Sequence, residues 1–331
     1  MTSKTHVNKQ LTHTTYNGYR FGVTARRLFR WLGSKQHIVP TLAPALRAQL
    51  VSTGGRCVSL FYGSGALKQA AFAGATVLAA EANPDLVALH SQLARDPARV
   101  WRALLFLDSC SRRKRDGEGA YRRVAAASLS SPLERAARFL WLSSLSWSGM
   151  WRVNSLGAFN VPPDRARLAR PWPFPGLRVF ERAGQAVRST TFVADWREAF
   201  AAASSGDLVL ADPPYAGGFV EYTAARFTES DQEDLAAALQ RAAARGVLVA
   251  AFNSPSAARW YEPPWVRWPI TRSGRVNVRA ARRGDVSEFM ATLGWQPKGD
   301  LTAAEASQQR RSAAAEEERR VLPCKLVASR S

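Results

Sequence analysis

The stretch Leu208-Val209-Leu210-Ala211-Asp212-Pro213-Pro214-Tyr215 runs from apolar strand-forming residues straight into a carboxylate, two prolines and an aromatic ring. Neither proline can donate a backbone hydrogen bond, and Pro213 biases Asp212 toward an extended conformation, so the corner is stiff. Such a corner suits a planar exocyclic amine. The Asp212 carboxylate and the Pro213 carbonyl can each accept one N–H, Pro214 keeps the turn rigid, and the Tyr215 ring stacks on the base. The lone pair of such an amine is delocalised into its ring, which makes it a poor nucleophile; drawing on both N–H groups pulls the nitrogen toward tetrahedral geometry. Attack at C5 of a cytosine would need a nucleophilic cysteine at the corner, and none stands there.

Two further acids, Glu81 and Asp195, each end a predicted strand, over residues 76–80 and 190–194. In a parallel sheet they and Asp212 line up along the carboxyl edge, where open α/β sheets bind ligands. Tyr62-Gly63-Ser64-Gly65 joins a predicted strand at 57–61 to a predicted helix at 66–73, and its glycines permit a tight turn and close approach to a ligand. Glu81 lies sixteen residues beyond Gly65, close to the offset at which an acid accepts hydrogen bonds from ribose hydroxyls. Asp195, followed by Trp196, is placed for the exocyclic amine of a bound adenine ring, leaving Asp212 nearest the reacting atom. No Gly-Lys-Ser/Thr phosphate loop is present, so S-adenosylmethionine fits better than ATP. Its sulfonium is already a strong electrophile, and positioning and electrostatics carry most of the acceleration.

These residues need a sheet to hold them. The 331 residues, 46% of them apolar, suffice for a large α/β core. The alternation of strand and helix breaks between about 85 and 188 and then resumes. We therefore expect a flexible N-terminal arm at 1–24, a Rossmann-like catalytic domain from 25–84 and 189–298, a target-recognition insertion at 85–188, and a disordered tail at 299–331. The insertion carries a basic loop, Arg112-Arg113-Lys114-Arg115 with Gly117 and Gly119, a helix over 132–150, and a hairpin over 148–162 turning at Leu156-Gly157. Arg165, Arg167, Arg170 and Arg178 follow, interleaved with Trp172 and Phe174. Basic side chains contact phosphates and aromatic rings stack on bases. After the corner come a helix opened by a capping box at Ser230-Asp231-Gln232-Glu233 and a strand at 247–252. A closing pair at 266–270 and 275–278 and a short helix near 286–293 complete the pattern.

Lysine and arginine number 46 against 26 acids, a net charge of +20 spread along the chain. That balance points to a polyanion, nucleic acid ahead of a membrane surface. An amine buried in double-stranded DNA is reached only by flipping its nucleotide out of the stack, a task for a basic, aromatic insertion beside the sheet. Cys57, Cys110 and Cys324, and His6, His13, His37 and His90, form neither a disulfide framework nor a metal-ligand spacing, so no metal is expected. Without an apolar signal segment or a bilayer-length apolar run, the expectation is a cytoplasmic protein, a monomer or weak dimer.

The order of these motifs resembles the Dam-like class of DNA N6-adenine methyltransferases over about residues 27 to 295. Phe29-Arg30-Trp31-Leu32-Gly33-Ser34-Lys35 is similar to the family's Trp-x-Gly-x-Lys signature, which implies that Trp31 and Lys35 contact the methyl donor. Phe61-Tyr62-Gly63-Ser64-Gly65 resembles its Phe-x-Gly-x-Gly loop, and Glu81-Ala82-Asn83 its acidic ribose site. Gly149 through Pro162 resembles its recognition hairpin, with the Arg-x-Asn piece at Arg152-Val153-Asn154 and Phe-Asn-Val-Pro at Phe159-Asn160-Val161-Pro162. The resemblance implies DNA contacts from Arg152, Val153, Asn154 and Asn160, joined by Arg165 and Arg167. Asp212 through Tyr215 matches the catalytic motif in full, and Phe227-Thr228, Asp231-Gln232 and Leu235 match the segment after it. The chain departs from the pattern at Ser59-Leu60, where many relatives have Glu-Pro, at Ser34, where many have Gly, and at Val153. There, Dam enzymes commonly place an aromatic that fills the gap left by the flipped base, so no recognition sequence carries over. The same corner serves any planar exocyclic amine, which leaves N4-cytosine and RNA adenine methylation open beside DNA adenine, and a catalytically weak DNA-binding relative beside the enzymes.

Overall fold

The computed structural model describes residues 15–16, 19–20, 28–112, 116–169, 175–273 and 285–297. Five parallel strands, β1 (Cys57–Leu60), β2 (Val77–Ala80), β3 (Thr190–Val193), β4 (Leu208–Ala211) and β5 (Leu248–Asn253), continue into an antiparallel pair, β6 (Val266–Ser273) and β7 (Asp285–Leu293). The spatial order is β3-β2-β1-β4-β5-β7-β6. The chain thus builds outward from β1 to one side and then returns to build from β4 to the other. The carboxyl ends of β1 and β4 flank the point where the order reverses, the ligand-binding crevice of open α/β sheets.

Central strands buried on both faces carry nearly continuous apolar runs, and β1, β4 and β5 are buried along their whole lengths. Successive side chains point to opposite faces. Leu208, Leu210, Ala250 and Phe252 pack on the side of α1 (Val39–Thr53) and α2 (Ala66–Phe72). Val209, Ala211, Val249 and Ala251 pack on the other side.

Between β2 and β3 the chain is helical: α3 (Pro84–Arg95), α4 (Pro97–Arg112), α5 (Gly117–Ala126), α6 (Pro132–Leu145), α7 (Arg165–Leu168) and α8 (Leu177–Val187). Asn83 opens α3 by accepting from the amides of Asp85 and Leu86, and α3 packs on both α6 and α8. Every residue of α6 from Ala136 to Leu145 is buried, as expected of a helix surrounded by other helices. Beyond β3 come α9 (Trp196–Ala201) and α10 (Glu229–Ala243), which line the second apolar face.

Several sequence expectations need correcting. Gly117 and Gly119 are helical, because Asp116 caps α5 onto the Gly119 amide. The helix expected over 132–150 stops at Leu145; Trp147–Gly149 forms a separate 3-10 turn in which Ser148 has φ 54°. The capping box of α10 is Thr228 with Asp231. The expected helix near 286–293 is a strand: β7 lies between β5 and β6, pairing antiparallel with both. Its run Phe289-Met290-Ala291-Thr292-Leu293 is buried on both faces, and such a run has no period-two alternation to separate it from a helix. Within the expected arm, Thr15–Tyr16 pairs with Tyr19–Arg20. The remainder of 1–24, Arg113 to Arg115, Arg170, Trp172, Phe174, residues 275–278 and the tail 299–331 lie outside the described residues.

Gly184 sets the distance between α8 and α3, since a Cβ there collides with the Leu93 carbonyl oxygen and comes 3.2 Å from Pro97 Cγ. Replacing a mid-helix glycine by alanine gains about 1 kcal/mol of helix propensity, and the overpacking outweighs it. Gly184→Ala lowers stability by about 1–2 kcal/mol net, measured as a reduced urea midpoint at unchanged m-value.

Candidate active site

Beyond β1 the backbone makes an abrupt turn. Phe61 has φ 60°, and Gly63 and Gly65 have φ 57° and 66°, values that glycine adopts freely and a bulky residue adopts under strain. A Cβ on Gly63 would lie 2.9 Å from Trp31 Nε1, so the loop can pass beneath that ring only as glycine. Two buried side chains hold it. Glu81, just past β2, accepts from the amides of Gly63 at 2.7 Å and Asn83 at 2.8 Å, and His90 of α3 bonds the Gly63 carbonyl through Nε2 at 2.9 Å. Burial pushes the Glu81 carboxyl upward against those two amides. Burial also pushes His90 down to about 4, outweighing its bond to Gly63.

Above this turn lies a cavity of about 600 Å³. Trp31 and Tyr222 form one wall, with centroids 5.3 Å apart and planes inclined by 33°. Phe61, Trp196 and Phe227 form another, Phe61 lying 6.2 Å from Trp196 and meeting Phe227 edge-on at 5.1 Å. Trp31, Lys35, Phe61, Gly63, Gly65, Glu81, Asp195, Trp196 and all four residues from Asp212 to Tyr215 line this one cavity. The sheet therefore brings together every donor and corner candidate read from the sequence. Asp195 is the most exposed of the three acids; its Oδ1 caps α9 on the Arg197 amide at 2.7 Å.

The corner itself is tied down on all sides. Asp212 continues β4 with its amide donating to the Leu60 carbonyl at 3.4 Å. Its Oδ1 lies 2.7 Å from Lys35 Nζ, which is buried and also bonds the Gly33 carbonyl. The Tyr215 hydroxyl donates to Glu288 Oε2 at 2.9 Å, and Lys35 lies 3.7 Å from that same oxygen. Gln232 Nε2 donates to the Pro214 carbonyl at 2.7 Å, and Asn253 Nδ2 donates to Gln232 Oε1 at 2.9 Å, so α10 and β5 brace the prolines.

The sequence reading missed several of these groups. Lys68 stands 3.8 Å from Asp212 Oδ2 and was detectable as the one charged residue of a short, mostly apolar helix. Glu288 was hidden by the misassignment of β7. Tyr222 and His90 sit in ordinary loop and helix contexts that carry no signal.

The DNA candidates lie outside the cavity. Arg152 Nε bonds Asn160 Oδ1 at 2.8 Å across the hairpin, in which Val153 and Phe159 form an isolated antiparallel bridge. Asn154 Oδ1 accepts from the amides of Leu156 and Ala158, which shapes the turn. Val153 is 6% exposed and packs in the core, and Arg167 bonds the Ser144 carbonyl at 2.9 Å, so neither side chain is freely presented at the surface. Arg165 is exposed and paired with Glu118 at 2.7 Å. The apolar side chain that does stand out is Leu156, 89% exposed at the hairpin tip.

The family model for D12 class N6 adenine-specific DNA methyltransferases matches residues 31–265, from Trp31 of the cavity wall to the entry into β6. The chain belongs to this family. It is 32% identical over 273 residues to the retron Ec67 DNA adenine methylase of Escherichia coli, covering 81% of this chain and 91% of that protein. It is 27% identical to the DNA adenine methylase of Serratia marcescens, covering 80% and 97%. The type II methyltransferase M1.LlaDCHI of Lactococcus lactis subsp. cremoris is 27% identical, covering 49% and 59%. This adenine-specific DNA methyltransferase thus modifies N6 of adenine in DNA, which decides among the products the corner alone left open. Among the described residues no cluster of His, Cys, Asp and Glu could hold a metal ion, and no helix is long and apolar enough to cross a membrane.

His90 makes the stability of the site pH-dependent. Its folded pKa of about 4 lies below the ordinary 6.5, so its contribution is present above about 6.5 and lost as pH falls toward 4. The loss is about 3 kcal/mol. In His90→Gln, which keeps a donor for the Gly63 carbonyl, the fall in Tm between those pH values is markedly shallower than in wild type.

Proposed function

We propose that this methyltransferase takes its methyl group from S-adenosylmethionine bound in the cavity and delivers it to an adenine flipped out of double-stranded DNA. The observation that carries the reading is the convergence of the glycine turn, Glu81, Asp195 and Asp212 at one sheet edge, in a cavity walled by aromatic rings. The fit is chemical as well as spatial. Glu81 presents a buried acceptor beside the turn, as ribose hydroxyls require, the aromatic wall of Phe61, Trp196 and Phe227 offers a face to a flat purine, and Gly63, where a Cβ would meet Trp31 Nε1, lets the turn run close under the Trp31 ring. When bound, S-adenosylmethionine supplies an electrophilic methyl group on a sulfonium.

The chain supplies position and polarity. Asp212 and the Pro213 carbonyl accept the two N–H bonds of the target amine and localise its lone pair. Tyr215, its hydroxyl fixed by Glu288, stacks on the adenine, and Pro214, braced by Gln232, holds the angle between them. Trp31 and Lys35 close the donor side, with Lys35 also neutralising Asp212. Gly65 shapes the floor, while Phe61, Asp195 and Trp196 receive the donor's adenine.

In this reading residues 25–84 and 189–298 form the catalytic domain and 85–188 the site-specific recognition region, in which Arg152, Val153, Asn154, Asn160, Arg165 and Arg167 meet DNA. The exposed Leu156 at the hairpin tip adds an apolar group suited to entering the stack, and Val153 requires the hairpin to shift before it reaches a base. A protein whose substrate is DNA works where that DNA is, in the cytoplasm. The +20 charge makes binding fall steeply with salt as phosphate contacts release counterions.

Incubating plasmid DNA with labelled S-adenosylmethionine tests the assignment. Wild type deposits label recovered as N6-methyladenine by nucleoside mass spectrometry, and Asp212→Ala reduces the rate by about 10²–10³-fold or more. Equal label in both proteins would remove Asp212 from the mechanism.

A further inference from the structure

Lys68 is the least expected residue of the cavity. It occupies the third position of α2 and is 4% exposed. Both circumstances disfavour a cation, since burial strips its water and the amino end of a helix carries the positive end of the dipole. A lysine kept at such a place must be held by partners worth the cost. Its Nζ lies 3.8 Å from Asp212 Oδ2, 3.4 Å from the Tyr62 carbonyl and 3.5 Å from the Phe61 carbonyl.

Those three partners belong to the two halves of the reaction. Asp212 is the corner that receives the amine, and Phe61 and Tyr62 lead into the glycine turn beneath the donor. A simple counter-ion for Asp212 is already present, because Lys35 holds the other carboxylate oxygen at 2.7 Å. What Lys68 adds is the link to the loop. We propose that Lys68 is a positioning residue that couples the donor loop to the catalytic corner, setting the Phe61–Tyr62 backbone in register with the Asp212 carboxylate. The strained φ of Phe61 gives the link something to hold, since a backbone in that region persists only when its surroundings fix it. The inference rests on the reading that the cavity holds S-adenosylmethionine.

The groups facing Lys68 are Asp212 after β4, Lys35 from the turn before α1, Glu81 after β2 and Cys57 on β1. His90 of α3 and the Tyr62 ring, 6.0 Å away, complete the set. Burial pulls Lys68 below the ordinary lysine pKa even though Asp212 opposes it, so the link opens at a lower pH than a surface lysine would titrate.

The test compares the full-length wild type with Lys68→Met and Lys68→Gln, two neutral replacements so that a folding defect in one does not end the experiment. S-adenosylmethionine affinity is measured by calorimetry, Tm without donor, and single-turnover methylation of a duplex at saturating donor from about pH 7 to about pH 10. Wild type is expected to bind the donor and to lose rate on the alkaline side. The variants are expected to keep or raise Tm, because a buried charge has been replaced. They bind the donor about tenfold more weakly, react about 10²-fold more slowly even when saturated, and lack the alkaline fall. A folded variant within about twofold of wild type in both affinity and rate overturns the proposal. Wild type that does not bind S-adenosylmethionine overturns the donor assignment, and this inference with it; wild type that binds while the variants match it overturns the role of Lys68 alone.

Discussion

The ion pair between the buried Lys35 and the half-buried Asp212 is the contact toward which the rest of the structure is arranged. Removing two charges from water is costly, and their attraction repays the cost only when geometry is good and the remaining polar atoms are satisfied. Here the ammonium also finds the Gly33 carbonyl and the Glu288 carboxylate, and lies 4.9 Å from the Tyr215 ring centre. Each of these partners comes from a different part of the chain. For one ammonium to reach all of them, the segment before α1, the end of β4 and the middle of β7 must be placed together. The pair is therefore a constraint on topology as much as a local interaction.

That constraint explains why an antiparallel strand is inserted beside β5. A parallel edge would have placed the end of the last strand near the corner, whereas β7 passes it in mid-run and presents Glu288 opposite Tyr215 and Lys35. The carboxylate fixes the tyrosine hydroxyl and so limits how the ring can turn. Stiffness at the corner thus has two sources. The prolines restrict the backbone, and Glu288, Gln232 and Asn253 restrain what the backbone carries.

The sequence made the first source legible and hid the second. Asp212-Pro213-Pro214-Tyr215 is readable because proline has only a few permitted conformations, and Gly63 and Gly65 because their positive φ values exclude most other residues. The five parallel strands were readable as short apolar runs, three of them ending at acids. β7 was not, since a strand buried on both faces loses the alternation that identifies strands, and with it went Glu288. Lys68 was visible only as an oddity of composition, because nothing local says which distant carboxylate a buried cation will meet. The capping box moved by two residues because Thr228-x-x-Asp231 and Ser230-x-x-Glu233 both fit the pattern, and the Thr228 hydroxyl takes the Asp231 amide. Val153 sits in a recognition motif, but its side chain is apolar and small enough to be drawn into the core of the uncomplexed protein.

The inward position of Val153 ties the hairpin to the cavity wall. Its amide donates to the Glu221 carbonyl at 3.1 Å, and the Glu221 carboxylate pairs with Arg226 at 2.9 Å and approaches Arg152 at 3.9 Å. The next residue, Tyr222, leans on Trp31 and bonds the Leu32 carbonyl at 3.3 Å. One loop therefore touches the recognition hairpin with its backbone and the donor cavity with its side chain. The segment between the corner and α10 thus joins the hairpin to the cavity wall through adjacent residues, Glu221 and Tyr222.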